Sequence, residues 1–180
     1  MKGIVFTEFL ELVEDKFGLT TVNEIIDRCD LKTNGAYTAV GTYDHGEMFQ
    51  MVKALSEIQN TPVPDLLQFY GAYFFDVLAK GYPAFLENHN LFSFMESIDG
   101  YIHPEVQKLY PDAELPSFES VKTDDENEML LIYKSSRKMS DFAIGLIHGA
   151  ANYFKIKVDV AELKRENEGE IVHIQIKHFE

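Results

Sequence analysis

Tyr133, Ser135 and Arg137 stand at alternating positions and carry side chains that could together hold an anion. They follow residues 129–132, an apolar stretch of strand-forming type. On an extended chain the side-chain period is two, so the phenol, the hydroxyl and the guanidinium would share one face. A guanidinium binds an oxyanion through paired N–H groups and hydroxyls add donors, which suits carboxylates or phosphates. The alternative is a solvated strand end beside a turn.

His103 is the histidine that the sequence singles out, because residues 95–106 place their apolar side chains toward a core. A lone histidine in a core is usually structural. No two of the 6 histidines have the helical spacing of zinc ligands, and there is no HExxH motif. Haem would account for three features together, since it needs an axial histidine, an anchor for its propionates and a flat apolar pocket, which the 14 Phe could supply.

Other site chemistries have little support in the sequence. Cys29 is the single cysteine, so the chain can form neither an internal disulfide nor a cysteine-rich metal site. There is no GxSxG motif and no glycine-rich phosphate loop, which leaves a hydrolase or a kinase unsupported.

Length and composition are typical of one globular domain of 180 residues with a hydrophobic content of 46%. The formal net charge of −14 disfavours nucleic acid and anionic membranes as partners. No apolar run approaches the roughly 18–20 residues that span a membrane. The first residues predict an amphipathic helix rather than a signal peptide. We therefore expect a cytoplasmic protein.

The apolar periodicity changes midway along the chain, from helical spacing to alternation. Helical spacing predicts a first helix over residues 5–17 and a second over residues 21–29. A third helix would be capped by Thr42 or Asp44, and a fourth would begin at Pro64. Residues 91–110 would be mostly helical, and a last helix would span residues 139–154. Strands are predicted over residues 118–122, 129–133, 156–163 and 170–179. This order indicates an α+β fold in which a helical N-terminal half packs against a C-terminal antiparallel sheet of about four strands.

One family combines these features. Tyr133-x-Ser135-x-Arg137, continued by Lys138-Met139 and by Gly145-Leu146-Ile147-x-Gly149, resembles the signature of the H-NOX (haem NO/oxygen binding, HNOB) family. The resemblance extends to Met1-Lys2-Gly3, Lys16-Phe17-Gly18, Ile102-His103 and Leu115-Pro116. It covers the whole chain, and the length is similar to that of standalone bacterial members. It implies a single haem-binding domain over residues 1–180, with a helical subdomain to about residue 62 and a haem-anchoring subdomain from about residue 63.

The family resemblance assigns a role to each candidate site residue. The cofactor is haem b (iron protoporphyrin IX), held between the two parts with His103 as the axial ligand of the iron. Tyr133, Ser135 and Arg137 bind the propionates, and Pro116 presses the porphyrin out of plane. The distal wall comes from three helix pairs at i, i+4 spacing, which are Val5 and Phe9, Phe74 and Leu78, and Phe142 and Leu146. These six side chains are also compatible with an ordinary core.

The distal positions indicate which gas is bound. Oxygen-binding relatives carry a tyrosine where this chain has Phe142, and they can carry a polar residue at the position of Phe74. The resemblance thus implies a non-enzymatic sensor that binds nitric oxide and carbon monoxide at five-coordinate ferrous haem and excludes oxygen. Nitric oxide would weaken the bond between the iron and His103 and shift the helices. The partner would be a separate histidine kinase or a diguanylate cyclase/phosphodiesterase.

Several alternatives remain open at this point. The chain could be an oxygen-binding or redox-sensing haem protein, or a haem-free interaction module of the same fold. A haem peroxidase needs distal acid–base groups, and His148 lies about 200° around the helix from Leu146, away from the pocket. Pro104 directly follows His103, so the helix should bend or begin anew there.

Overall fold

The computed structural model describes residues 1–179, which form seven α-helices and one four-stranded sheet. The chain divides into two compact units, residues 1–70 and 71–180, and the division falls inside the fourth helix. The fourth helix contributes to both units, and each of the other helices and strands belongs to one unit.

Helices build the first unit, and their ends follow local sequence signals. The elements are α1 (Ile4–Phe17), α2 (Leu19–Arg28), α3 (His45–Gln59) and the first part of α4 (Val63–Gly81). Gly18 separates α1 from α2 with a φ of 85°, which glycine adopts without strain. The predicted second helix therefore begins at Leu19, directly after this glycine, rather than at Thr21. Of the two predicted caps for α3, Asp44 accepts a hydrogen bond from the Gly46 N–H at 2.9 Å.

A buried carboxylate holds the loop between α2 and α3. Glu47 is 4% exposed and accepts hydrogen bonds from the Thr33 and Tyr37 hydroxyls, both at 2.6 Å. The Tyr37 ring also stacks on Phe6, with centroids 4.5 Å apart. These contacts order a segment that is rich in turn residues and in which the sequence predicts no helix or strand.

In the second unit, the segment predicted as one helix over residues 91–110 consists of three successive helical elements. The helical elements of this unit are the end of α4, α5 (Leu91–Ser97), a π turn (Ile98–Ile102), α6 (His103–Leu109) and α7 (Ser140–Tyr153). Asn90 opens α5 with a capping box to Ser93. The predicted interruption at Pro104 is confirmed, because α6 begins at His103 and places the proline in its first turn.

The sheet is antiparallel throughout, with the order β1-β2-β4-β3. Its strands are β1 (Ser117–Lys122), β2 (Glu128–Lys134), β3 (Lys157–Glu166) and β4 (Ile171–Phe179). Alternate side chains of β2 and β4 form the buried face: Met129, Leu131, Tyr133, Val172, Ile174 and Ile176. A bulge interrupts β3 between Glu162 and Lys164. The predicted α+β class, a helical N-terminal part and a four-stranded C-terminal sheet, is confirmed.

None of the helices within residues 1–179 combines the length and the apolar character that a span of a bilayer requires.

Candidate functional site

His103 lies where the π turn meets α6, and the wide turn determines its neighbours. Its backbone N–H bonds to the carbonyl of Ile98, five residues earlier. Its Nδ1 lies 3.0 Å from Oδ1 of Asp99, within the same turn. The other carboxylate oxygen of Asp99 accepts the Phe118 N–H at 2.8 Å, which ties the pair to β1. The imidazole is therefore held by a carboxylate that is itself held by the sheet.

Burial sets the protonation state of this imidazole. The side chain of His103 is 19% exposed, and burial lowers its pKa below the ordinary value, with Asp99 opposing that shift. The ring is thus neutral near pH 7. Because a carboxylate can only accept, the proton sits on Nδ1 and leaves Nε2 with its lone pair. Nε2 has no hydrogen-bond partner among the described residues, so it can act as a metal ligand.

Tyr133 is the last but one residue of β2 and has a buried phenol. The residue is 2% exposed, and its hydroxyl oxygen accepts the Met139 N–H at 3.0 Å, which leaves the O–H proton to donate elsewhere. Burial raises the pKa of this phenol, while the Ser135 hydroxyl, the Met139 N–H and the Arg137 charge oppose that shift. The phenol stays protonated near neutral pH and is available as a donor.

The predicted single extended face for Tyr133, Ser135 and Arg137 is wrong beyond Lys134, where β2 ends. The chain turns at this point, and the Lys138 N–H bonds to the carbonyl of Ser135 at 3.2 Å. Within the turn, the Ser135 hydroxyl accepts the backbone N–H of Arg137 at 3.2 Å. The turn, rather than strand alternation, brings the three side chains together.

Arg137 reaches from this turn to the segment before β1. Its guanidinium donates to the carbonyl of Glu114 at 2.6 Å and to the carboxylate of Glu114 at 2.9 Å. The Arg137 side chain is 12% exposed, whereas that of Glu114 is 86% exposed. A pair with so exposed a carboxylate contributes about 0–1 kcal/mol, and a second carboxylate can replace it at little cost. Pro116 follows two residues later and is half-buried, directly before β1.

Aromatic rings connect the histidine to the phenol. The Phe118 ring centroid lies 6.0 Å from that of His103 and 5.7 Å from that of Tyr133. The predicted distal residues Phe74 and Phe142 form another pair, with centroids 5.8 Å apart. Leu78 and Leu146 are half-buried one turn further along α4 and α7.

Val5, Phe9 and His148 are the remaining residues that the sequence analysis named. Val5 and Phe9 lie on α1 in the first unit, where the Phe9 ring packs edge-on against Tyr70. His148 lies near Asp159 of β3, and burial lowers its pKa while Asp159 opposes that shift. No cluster of three His, Cys, Asp or Glu side chains suited to a metal ion occurs within residues 1–179.

Sequence reasoning overlooked three residues of this site. Asp99 stands four positions before His103, a helical spacing that could have revealed it. Phe118 and Glu114 had no signal of this kind, because only the fold brings them to His103 and Arg137.

Known proteins share both the sequence pattern and the fold. The family model described as haem-NO-binding matches residues 2–162. An unliganded Fe(II) H-NOX protein from K. algicida is 41% identical, covers 100% of this chain and 97% of its own, and superposes with a TM-score of 0.94. The H-NOX from Shewanella woodyi, solved bound to IWP-051 in the Fe(II)CO state, is 39% identical over 99% of this chain and 95% of its own, with a TM-score of 0.83.

More distant relatives extend the comparison. An H-NOX protein from S. oneidensis in the Fe(II)NO state is 26% identical over 100% of both chains, with a TM-score of 0.91. Soluble guanylate cyclase gcy-33 of Caenorhabditis elegans is 24% identical over 98% of this chain but only 19% of its own length. The present chain thus spans about a fifth of that curated relative.

Proposed function

This chain belongs to the haem-NO-binding (H-NOX) family of gas sensors, and we propose that it senses nitric oxide at five-coordinate ferrous haem b, also binds carbon monoxide, and excludes oxygen. The observation that carries the proposal is the neutral, half-buried His103, whose Nε2 has a free lone pair while Asp99 occupies Nδ1. This is the state in which an imidazole ligates iron.

The donor set of the site fits haem. His103 would hold the iron, and the Arg137 guanidinium, which already accommodates an exposed carboxylate, would exchange it for a propionate. The Tyr133 hydroxyl and the Ser135 hydroxyl each accept one backbone N–H, and they are within hydrogen-bonding reach of each other. Each hydroxyl would turn its proton from this contact toward the propionates. Pro116 would lie against the porphyrin. Haem supplies the ferrous iron at which a diatomic gas binds.

Selectivity follows from the side chains of α4 and α7. Phe74 and Phe142 pair through their rings, and a phenyl ring donates no hydrogen bond. Donors in a distal pocket favour oxygen, whereas nitric oxide and carbon monoxide bind ferrous haem without one. Leu78 and Leu146 would add apolar surface beside the two rings. These residues support a sensor of nitric oxide over a sensor of oxygen.

Signalling is proposed to pass to another protein and to involve no chemistry at this site. The partner classes that we propose are a histidine kinase and a diguanylate cyclase/phosphodiesterase, in the cytoplasm. The acidic composition, 30 Asp and Glu against 16 Lys and Arg, would suit a basic docking patch on such a partner.

The test is the absorption spectrum of the purified, haem-loaded protein, reduced under argon and then exposed separately to air, carbon monoxide and nitric oxide. We expect a five-coordinate ferrous spectrum that changes with carbon monoxide and nitric oxide and forms no oxygen complex in air. A stable oxygen complex would reject the selectivity and favour an oxygen sensor. Failure to retain haem would reject the proposal in favour of a haem-free interaction module.

A further inference from the structure

Both oxygens of the Asp99 carboxylate have a partner, one on the His103 imidazole and the other on the backbone of Phe118. Oδ1 lies 3.0 Å from Nδ1 of the imidazole, and Oδ2 accepts the Phe118 N–H at 2.8 Å. A carboxylate fixed at both oxygens has little freedom to rotate away from the ring. The Phe118 ring packs against the imidazole, with centroids 6.0 Å apart.

The π turn brings Asp99 and His103 close together through the path of the backbone. Asp99 and His103 stand at the two ends of one π turn, in which the histidine N–H bonds to the carbonyl of Ile98. Single π turns within helices occur frequently at functional sites. Glu105, two residues after His103, forms an ion pair with Lys108 on the outside of α6. Its carboxylate therefore does not compete with Asp99 for the imidazole.

We propose that Asp99 is a positioning residue that strengthens the bond between His103 and haem iron and thereby resists the loss of this ligand when nitric oxide binds. The inference rests on the proposed function, because it requires His103 to be the ligand. A carboxylate that accepts a hydrogen bond from the Nδ1–H group increases electron density at Nε2, which makes the imidazole a stronger ligand. The same negative charge favours ferric over ferrous iron.

Two substitutions separate charge from hydrogen bonding. Asp99→Asn keeps an oxygen that can accept from Nδ1 but removes the charge, and Asp99→Ala removes both. The readouts on haem-loaded protein are the ferrous iron–histidine stretching frequency in resonance Raman spectra and the midpoint potential. We expect the frequency to fall and the potential to rise from wild type to Asp99→Asn to Asp99→Ala. Transfer of haem to apomyoglobin should accelerate about 10- to 100-fold in Asp99→Ala.

A matched control removes one charge from α6, two residues after His103, at a carboxylate that does not contact the imidazole. Glu105→Gln should leave the frequency, the potential and the rate of haem transfer at their wild-type values. If Asp99→Asn and Asp99→Ala also keep the wild-type frequency while haem stays bound, Asp99 only holds the Phe118 N–H and the inference is rejected. Loss of haem from the wild type would instead reject the proposed function, so the two failures are distinct.

A second measurement isolates the donated proton. In His103→Gly, free imidazole or pyridine can replace the histidine side chain, and only imidazole has an N–H to donate. Adding Asp99→Asn should lower the iron–ligand frequency of the imidazole complex and leave that of the pyridine complex unchanged. An equal shift with both ligands would overturn the hydrogen-bonding explanation.

Discussion

The Tyr133 hydroxyl joins the end of β2 to the start of α7, and Tyr133→Phe removes that link while keeping the ring. The phenol oxygen accepts the Met139 N–H at 3.0 Å, and the two residues are only 2% and 5% exposed. The substitution leaves a buried N–H without a partner, which costs about 1–3 kcal/mol. In a chain of this size each kcal/mol lowers Tm by about 2–4 °C, so we expect a decrease of roughly 2–12 °C.

The assay is thermal and urea unfolding followed by far-UV circular dichroism, with the haem content of each sample determined in parallel. Tyr153→Phe is the matched control, because it makes the same chemical change at a side chain in α7 that is 46% exposed. That control should stay within about 0.5 kcal/mol of wild type. Equal stability of wild type, Tyr133→Phe and Tyr153→Phe would refute the reasoning, since the Met139 N–H would then not depend on the phenol.

Three further predictions concern the helices of the second unit. Phe142→Tyr adds a hydroxyl donor, and a hydrogen bond from it to a charged acceptor is worth about 1.5–3 kcal/mol. The oxygen affinity of the ferrous protein, measured by titration, should therefore rise roughly 10- to 150-fold. An unchanged affinity would contradict the placement of Phe142 in the distal wall. Gly149→Ala would put Cβ 2.5 Å from Cβ of Phe75 and should cost about 1–3 kcal/mol in urea unfolding. Gly81→Ala meets nothing within 4 Å and is its control, expected to be neutral or stabilising. Burial lowers the pKa of His148, so the unfolded chain binds its proton more readily and stability falls as pH drops below 6.5. His148→Gln should therefore show a smaller loss of urea midpoint between about pH 7.5 and 5.5, and an equal loss would show that other groups cause it.

The elements could be predicted wherever one period dominates a segment. Residues 129–133 and 170–179 alternate cleanly, and both are strands. Within the predicted 91–110 helix, the sequence indicated an interruption only at Pro104. It did not predict the π turn before His103, because apolar spacing does not distinguish a π turn from an α turn. The order of the strands also lay beyond the pattern, since the pairing of β2 with β4 depends on contacts between distant residues.

The residue types of the candidate site were visible in the sequence, whereas their arrangement was not. Lys138, just after the turn that follows β2, has a left-handed backbone conformation with a φ of 55°. The alternation of side chains in the sequence does not predict this conformation. The contact of Arg137 with Glu114 joins residues 23 positions apart and arises only in the fold. Asp99 is different, since its helical spacing from His103 was available and would have identified the partner of the imidazole.

The bulge in β3 affects how this protein can meet other molecules. β1 and β3 form the two outer edges of the sheet, and such edges are places where a strand of another chain can add by backbone hydrogen bonding. The bulge between Glu162 and Lys164 disrupts the regular edge of β3, and charges follow that strand: Lys157, Asp159, Arg165 and Glu166. β1 is only six residues long, and its Glu119 forms an ion pair with Lys134. Sheet extension is thus disfavoured at both edges, so concentrated samples should resist aggregation by strand addition. The partner protein proposed above should then recognise side chains rather than backbone.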